Sequence, residues 1–329
     1  MLNIICEIAN GYYGSVAISK SYIEYAKKNG ANAVKFQIAY AEEMLDEKDK
    51  IFKIIKKNEM HFSQWKKIRD YARLKKIKFY LDIDGIQAFD IAKALKPDGI
   101  KIHTTSFFDK RLIKKSLDTF KKVYISISGV NEIEFDTLYR YLKKNNKLNK
   151  VVFLYGHQNA PTKIEDTNLS RLINLKKKYN LSNIGFMDHV DGSSIYKYSL
   201  SILALGLGVR CFEKHLTKSR SLKLIDHISA LEPNEFKIYS STLNAHLKSI
   251  GTYNKKLTKS EQRYRKNAIT VIYSKNNIKK NQRITYKDIT HKRPLKYSNK
   301  YFYDPANLIG KIAACDILEN QPIKPRYIK

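Results

Sequence analysis

The chain has 329 residues, carries 62 lysines and arginines against 31 acidic residues, and has a formal charge of +31. Its length suits one large domain plus a small one, and no run approaches the roughly 20 apolar residues that a membrane-spanning helix needs. The charge invites a nucleic-acid reading, but the lysines are spread over nearly every helical pattern, as at Lys66-Lys67, Lys75-Lys76 and Lys176-Lys177-Lys178, where they read as solvated polar faces.

Over the first 250 residues short apolar runs alternate with longer periodic segments, the pattern of repeated βα units on a parallel sheet. Strands are predicted at 2–7, 33–37, 78–82, 99–103, 123–126, 151–155, 184–188 and 209–214. Helices are predicted between them, among them 16–28, 63–75, 169–179 and 236–250; in the first, Ala17, Ile18, Tyr22, Ile23 and Ala26 recur at helical spacing before the stop signal Gly30. Eight such repeats match a (β/α)8 TIM barrel over 1–250. A doubly wound open sheet is the alternative, but no GxGxxG run follows the first strand. Residues 251–265 are polar and read as a linker. Residues 266–329 form a β-rich cap with strand-like runs at 268–273 and 284–286.

The amino terminus enters a strand-like run without a basic leader, and Cys6, Cys211 and Cys315 lie far apart with no CxxC pair. A cytoplasmic protein with reduced, buried cysteines is expected.

Barrels of this type keep their active sites at the C-terminal ends of the strands. There the chain offers Glu7 and Asn10, Lys35 and Gln37, Asp82 and Asp84, Lys101 and His103, and Ser126 and Ser128. His157 and Gln158, Asp188 and His189, and Glu213, Lys214 and His215 follow on strands six to eight. Lys35 stands out because a barrel interior would otherwise want an apolar side chain. His189 and His215 close adjacent strands, so two neutral imidazoles could share a divalent metal.

With these residues the sequence resembles the sialic acid (N-acetylneuraminate) synthase family, which includes legionaminic and pseudaminic acid synthases, over almost the whole chain. Glu7-Ile8-Ala9-Asn10 with Gly14 is similar to the family's opening motif, and the run from Gly30 through Lys35 to Gln37 to its second-strand motif. Lys101-Ile102 resembles the fourth-strand phosphate lysine, and Pro161-Thr162, Glu165-Asp166 and Asn168-Leu169 the segment after strand six. Asp188-His189 and Glu213-Lys214-His215 resemble the two metal-ligating histidine motifs, and Asp226-His227 with Leu231-Glu232-Pro233 the motif whose aspartate contacts the acceptor sugar. In the tail, Lys292-Arg293-Pro294 and Gly310-Lys311 resemble the antifreeze-like (SAF) domain.

The resemblance implies condensation of phosphoenolpyruvate with an open-chain N-acylated amino sugar. It implies catalytic roles for Lys35, Lys101, His189 and His215, the histidines holding manganese, with magnesium or cobalt as alternatives, and Glu7 is the candidate for moving protons around a metal-bound water. Substrate contacts are expected from Gln37, Thr104, Ser128, Gln158 and Asp226, and from Arg293 acting across a domain-swapped homodimer. The chain departs from the family at Asp82, where a phosphate-contacting threonine is usual, and at the run His103 to Ser106. Further departures are Ile127, Met187, Ala160 and Gly11-Tyr12. Asp82 beside a phosphate would be repulsive without a cation or a changed pose. The rival readings are a descendant that binds an acidic sugar or phosphate without catalysis, an aldolase using another donor, and a basic nucleic-acid module.

Overall fold

The structure is a computed structural model that describes residues 2–252, 255–298 and 300–329. It divides into two compact units, Met1–Gly251 and Thr252–Lys329.

In the first unit eight parallel strands close into a barrel: β1 Asn3–Ala9, β2 Ala33–Ile38, β3 Lys78–Ile83, β4 Gly99–Ile102, β5 Val123–Ser126, β6 Val151–Tyr155, β7 Ile184–Asp188 and β8 Cys211–His215. Closure is by β1 on β8, with Asn3 opposite Cys211 and Glu7 opposite His215. The helices between them follow from local chemistry. Val16–Lys28 starts where Ser15 accepts a hydrogen bond from the Ile18 backbone N–H, and it buries Tyr22, Ile23 and Ala26. Glu132–Lys144 opens on a reciprocal cap between Asn131 and Glu134. Phe62–Leu74 buries Trp65, Ile68 and Ala72, which leaves Lys66 and Lys67 in solvent.

Two apolar layers result from the strand period of two. Outward residues such as Ile4, Val34, Phe79, Ile100, Phe153 and Phe212 pack against the helices. Inward residues Ile5, Ala33, Tyr80, Tyr124, Val152, Leu154, Met187 and Cys211 form a separate plug inside the barrel. The next inward positions toward the strand C-termini are polar, so the plug is the floor of a pocket.

The second unit pairs β9 Val271–Ser274 with β10 Ile289–Lys292 antiparallel. It has a core of its own, made by Ile272, Ile278, Ile284, Ile289, Leu308, Ala313, Ile317 and Ile323. Three sequence expectations change here. The run 284–286 is not a strand, because the Thr285 backbone N–H and hydroxyl both donate to Asp288 Oδ2, at 2.8 and 2.7 Å, and turn the chain into a short 3-10 helix, Tyr286–Asp288. The polar stretch 251–265, read as a linker, runs into a helix, Lys259–Ala268, which starts on a cap between Thr258 and Glu261. Cys6 and Cys211 are buried free thiols, but Cys315 is partly exposed rather than a core residue. Among the described residues no helix is long and apolar enough to cross a membrane.

Candidate active site

A cavity of about 370 Å³ opens at the C-terminal ends of the strands. Glu7, Gln37, Asp82, Asp84, Lys101, Gln158, His189, Glu213, His215 and Asp226 are among the residues that line it. Strand alternation selects them: Glu213 and His215 turn in while Lys214 turns out, and His189 turns in while Asp188 turns out. Lys214 and Asp188, read from the sequence as possible site residues, instead pair with each other at 2.9 Å, fully buried, and Ser201 donates to the second Asp188 oxygen at 2.8 Å. This pair holds the ends of β7 and β8 beside the two histidines without lining the cavity.

At the centre lies a network of five buried charges. Lys35 Nζ is 2.6 Å from Glu7 Oε2, 2.5 Å from Glu213 Oε2 and 3.8 Å from Asp82 Oδ2. Lys101 Nζ is 2.9 Å from both Asp82 Oδ2 and Glu213 Oε1. Glu213 therefore bridges the two lysines. Burial would raise its carboxyl, but Lys101 and Lys35 hold it well below the usual carboxylate range. Lys101 loses charge stability to burial and regains more from Asp82, Glu213 and Glu7, so its ammonium persists well above the ordinary lysine range. Glu7 sits differently. Burial pushes its carboxyl up to about 7, with Lys35 opposing and Glu213 adding to the rise, and its Oε1 accepts the Ala9 backbone N–H at 2.7 Å.

His189 and His215 meet with their Nε2 atoms 3.1 Å apart. Burial lowers both imidazoles, His189 further because His215 faces it, so the neutral form that ligates metals is favoured. The separation fits a shared ion: metal–nitrogen bonds of about 2.1 Å put two ligands roughly 3.0 Å apart at a right angle and roughly 3.4 Å apart at a tetrahedral one. Asp226 Oδ2 stands 3.9 Å from His215 Nδ1, on the far side of that ring. Among the described residues no three His, Cys, Asp or Glu side chains gather to hold a metal, so two imidazoles would leave most of the shell to water or ligand.

The other expected contacts divide. Gln37 Oε1 accepts from Asn10 Nδ2 at 2.8 Å, and the Thr104 hydroxyl lies 2.6 Å from Ser126 Oγ and 3.0 Å from Gln158 Oε1. Ser128 accepts the Gln158 backbone N–H at 3.1 Å and faces a neighbouring cavity rather than this one. Arg293 is an exposed residue of the second unit. The Glu232-Pro233 dipeptide is structural: Glu232 caps the helix Pro233–Ile250 and accepts the Arg220 backbone N–H at 2.9 Å. Glu213 and Asp82 were underrated by sequence reasoning, although both stand one strand period inside a residue already singled out.

A family model described as the NeuB family matches residues 22–255, and one for the SAF domain matches residues 269–326. The chain is 26% identical to N,N'-diacetyllegionaminic acid synthase of Campylobacter jejuni over 98% of both chains. It is 24% identical to a pseudaminic acid synthase of the same species, over 98% of this chain and 95% of that one. Among solved structures it is similar to the N-acetylneuraminic acid synthetase of Leptospira borgpetersenii, with a TM-score of 0.73 and 25% identity over 80% of this chain and 91% of that one.

Proposed function

Since the chain belongs to the NeuB family, we propose that it is a nonulosonic acid synthase, condensing phosphoenolpyruvate with the open-chain form of an N-acylated amino sugar and releasing phosphate. The observation that carries this reading is one pocket lined by the buried Lys101 and two converging imidazoles, with Lys35 paired to the lining residues Glu7 and Glu213 behind its wall. Such a pocket can orient an anionic donor against an electrophile, and its carboxylate lining is the reverse of a nucleic-acid footprint.

In this reading Lys35 and Lys101 face the phosphate and carboxylate of the donor from rigid strands, which supplies charge stabilisation without reorganisation. A divalent cation on His189 and His215, manganese in the first instance with magnesium or cobalt as alternatives, would polarise the sugar carbonyl. Glu7, poised near neutrality, can hold or release a proton at the pocket wall. Gln37, Thr104, Gln158 and Asp226 orient the hydroxyl and acyl groups of the sugar, with Ser128 supporting Gln158 through its backbone. Three free thiols fit a reducing cytoplasm.

The test is direct. Incubation with phosphoenolpyruvate, divalent metal and a panel of acylamino sugars should give, by mass spectrometry, a product heavier than one sugar by the pyruvate unit. Oxygen-18 in the bridging position of the donor should leave with phosphate, because water attacks carbon and the C–O bond breaks. Label retained in the organic product would sink the route. Binding without product from any sugar would favour a non-catalytic descendant, a reading that the paired state of both lysines supports.

The active unit in this reading is a homodimer in which Arg293 of the second unit serves the barrel of the other chain, offering a planar fork of donors to the acyl carbonyl. Mixed Arg293→Ala and His215→Ala subunits, each inactive alone, should then recover up to about a quarter of full activity if exchange is random. Heterodimers that recover none would refute the exchange.

A further inference from the structure

We propose that Asp82 marks a second cation position in the pocket, apart from the two histidines, where a divalent ion enters together with the donor phosphate. The inference rests on the donor reading above. Asp82 ends β3 with 3% of its surface exposed. Its Oδ2 takes Lys101 at 2.9 Å, while its Oδ1 is buried without a hydrogen-bond partner. A carboxyl oxygen left bare in a buried wall is costly, and here it belongs to a residue that lines the cavity, so a ligand group is the partner still missing.

Charge decides what that group is. Glu213 bridges both lysines, Glu7 takes Lys35 and Asp82 takes Lys101, so two ammonium groups already face three carboxylates. Asp84 and Asp226 add two more carboxylates to the lining. No positive charge in this set is left over for an incoming anion, and a phosphate reaching Lys101 must come up against Asp82. A hard divalent cation removes the conflict. Magnesium-like ions are commonly held by one or two carboxylates together with substrate phosphate oxygens and water, so a single free carboxylate oxygen is enough and no three-residue cage is needed.

Calorimetric titration of phosphoenolpyruvate into the wild type, Asp82→Asn, Asp82→Thr and His215→Ala, each in EDTA and in excess MgCl2, tests this. His215→Ala silences the histidine site, so any remaining metal response belongs elsewhere. Magnesium should tighten donor binding by about tenfold or more in the wild type and in His215→Ala, and by less than about twofold in both Asp82 variants. Two variants are used so that one folding failure does not end the test, and circular dichroism checks each. Electron paramagnetic resonance of Mn²⁺ with donor present should count one ion fewer in the Asp82 variants. An undiminished magnesium response in those variants, or equal wild-type affinity in EDTA and MgCl2, overturns the proposal. So does an Asp82 effect confined to acylamino-sugar binding, which would make Oδ1 an acceptor for a sugar hydroxyl or N–H. Donor binding by no protein under either condition would overturn the donor reading itself, and this inference with it.

Discussion

Replacement of His215 by alanine is expected to abolish metal-dependent turnover, by about a thousandfold or more, while the barrel stays folded; lost Lewis-acid stabilisation of several kcal/mol corresponds to that factor. The ring stands at the last residue of β8, with its Nε2 facing His189 Nε2 at 3.1 Å. Its backbone is held independently of the ring, because the His215 carbonyl accepts from Leu231 N at 2.9 Å and the residue pairs in register with Glu7. The substitution therefore removes one of two converging ligands and leaves the strand ladder alone. Metal content by mass spectrometry should fall with activity, and far-ultraviolet circular dichroism should not change. Full activity with stoichiometric metal in the purified variant would show that the ion, if present, is bound elsewhere.

Lys35→Met should cost about 3–5 kcal/mol of stability at pH 8, the usual penalty for removing one partner from a buried ion pair. The methionine fills most of the lysine stem's volume, so the loss is electrostatic: Glu7 forfeits a 2.6 Å partner and Glu213 a 2.5 Å one. For a domain of this size that is a fall of roughly 6–20 °C in melting temperature. The pH dependence has a definite sign. Glu7 has its folded carboxyl raised to about 7 from an ordinary 4.5, so its protonated form favours the fold below the ordinary value, and that contribution is lost as pH rises through the folded one. Without Lys35 opposing the rise, the carboxyl moves further up, and the variant should lose more stability than the wild type between pH 5 and pH 8. Adding Glu7→Gln to Lys35→Met should recover part of the loss at pH 8 and flatten the profile. A single variant as stable as the wild type at pH 8 would mean that water reaches the network and screens it.

Much of this architecture was legible before any coordinates. Short apolar runs spaced by amphipathic segments dictated the eight strands, because such runs bury both faces in a parallel sheet covered by helices. Lys35 and the two histidines announced themselves as polar side chains at interior or strand-end positions, where a purely structural sequence would place apolar ones. The tail misled at 284–286, where β-branched residues suggested a strand and the local bonds of Asp288 made a turn.

The sequence by itself determined the barrel, the end at which chemistry happens and the types of group available there, since hydrophobic period and residue type are local properties of the chain. Only the tertiary structure decided which of those groups meet. Glu213 joins two lysines that lie 178 and 112 residues away from it, and Lys214, its neighbour, is turned to the opposite face. Whether a buried charge is paired, bare or shared depends on neighbours brought by other strands, and barrel closure is what brings them. That is why Asp82 read as a mere departure in the sequence, yet in the fold it holds Lys101 with one oxygen and leaves the other buried without a hydrogen-bond partner.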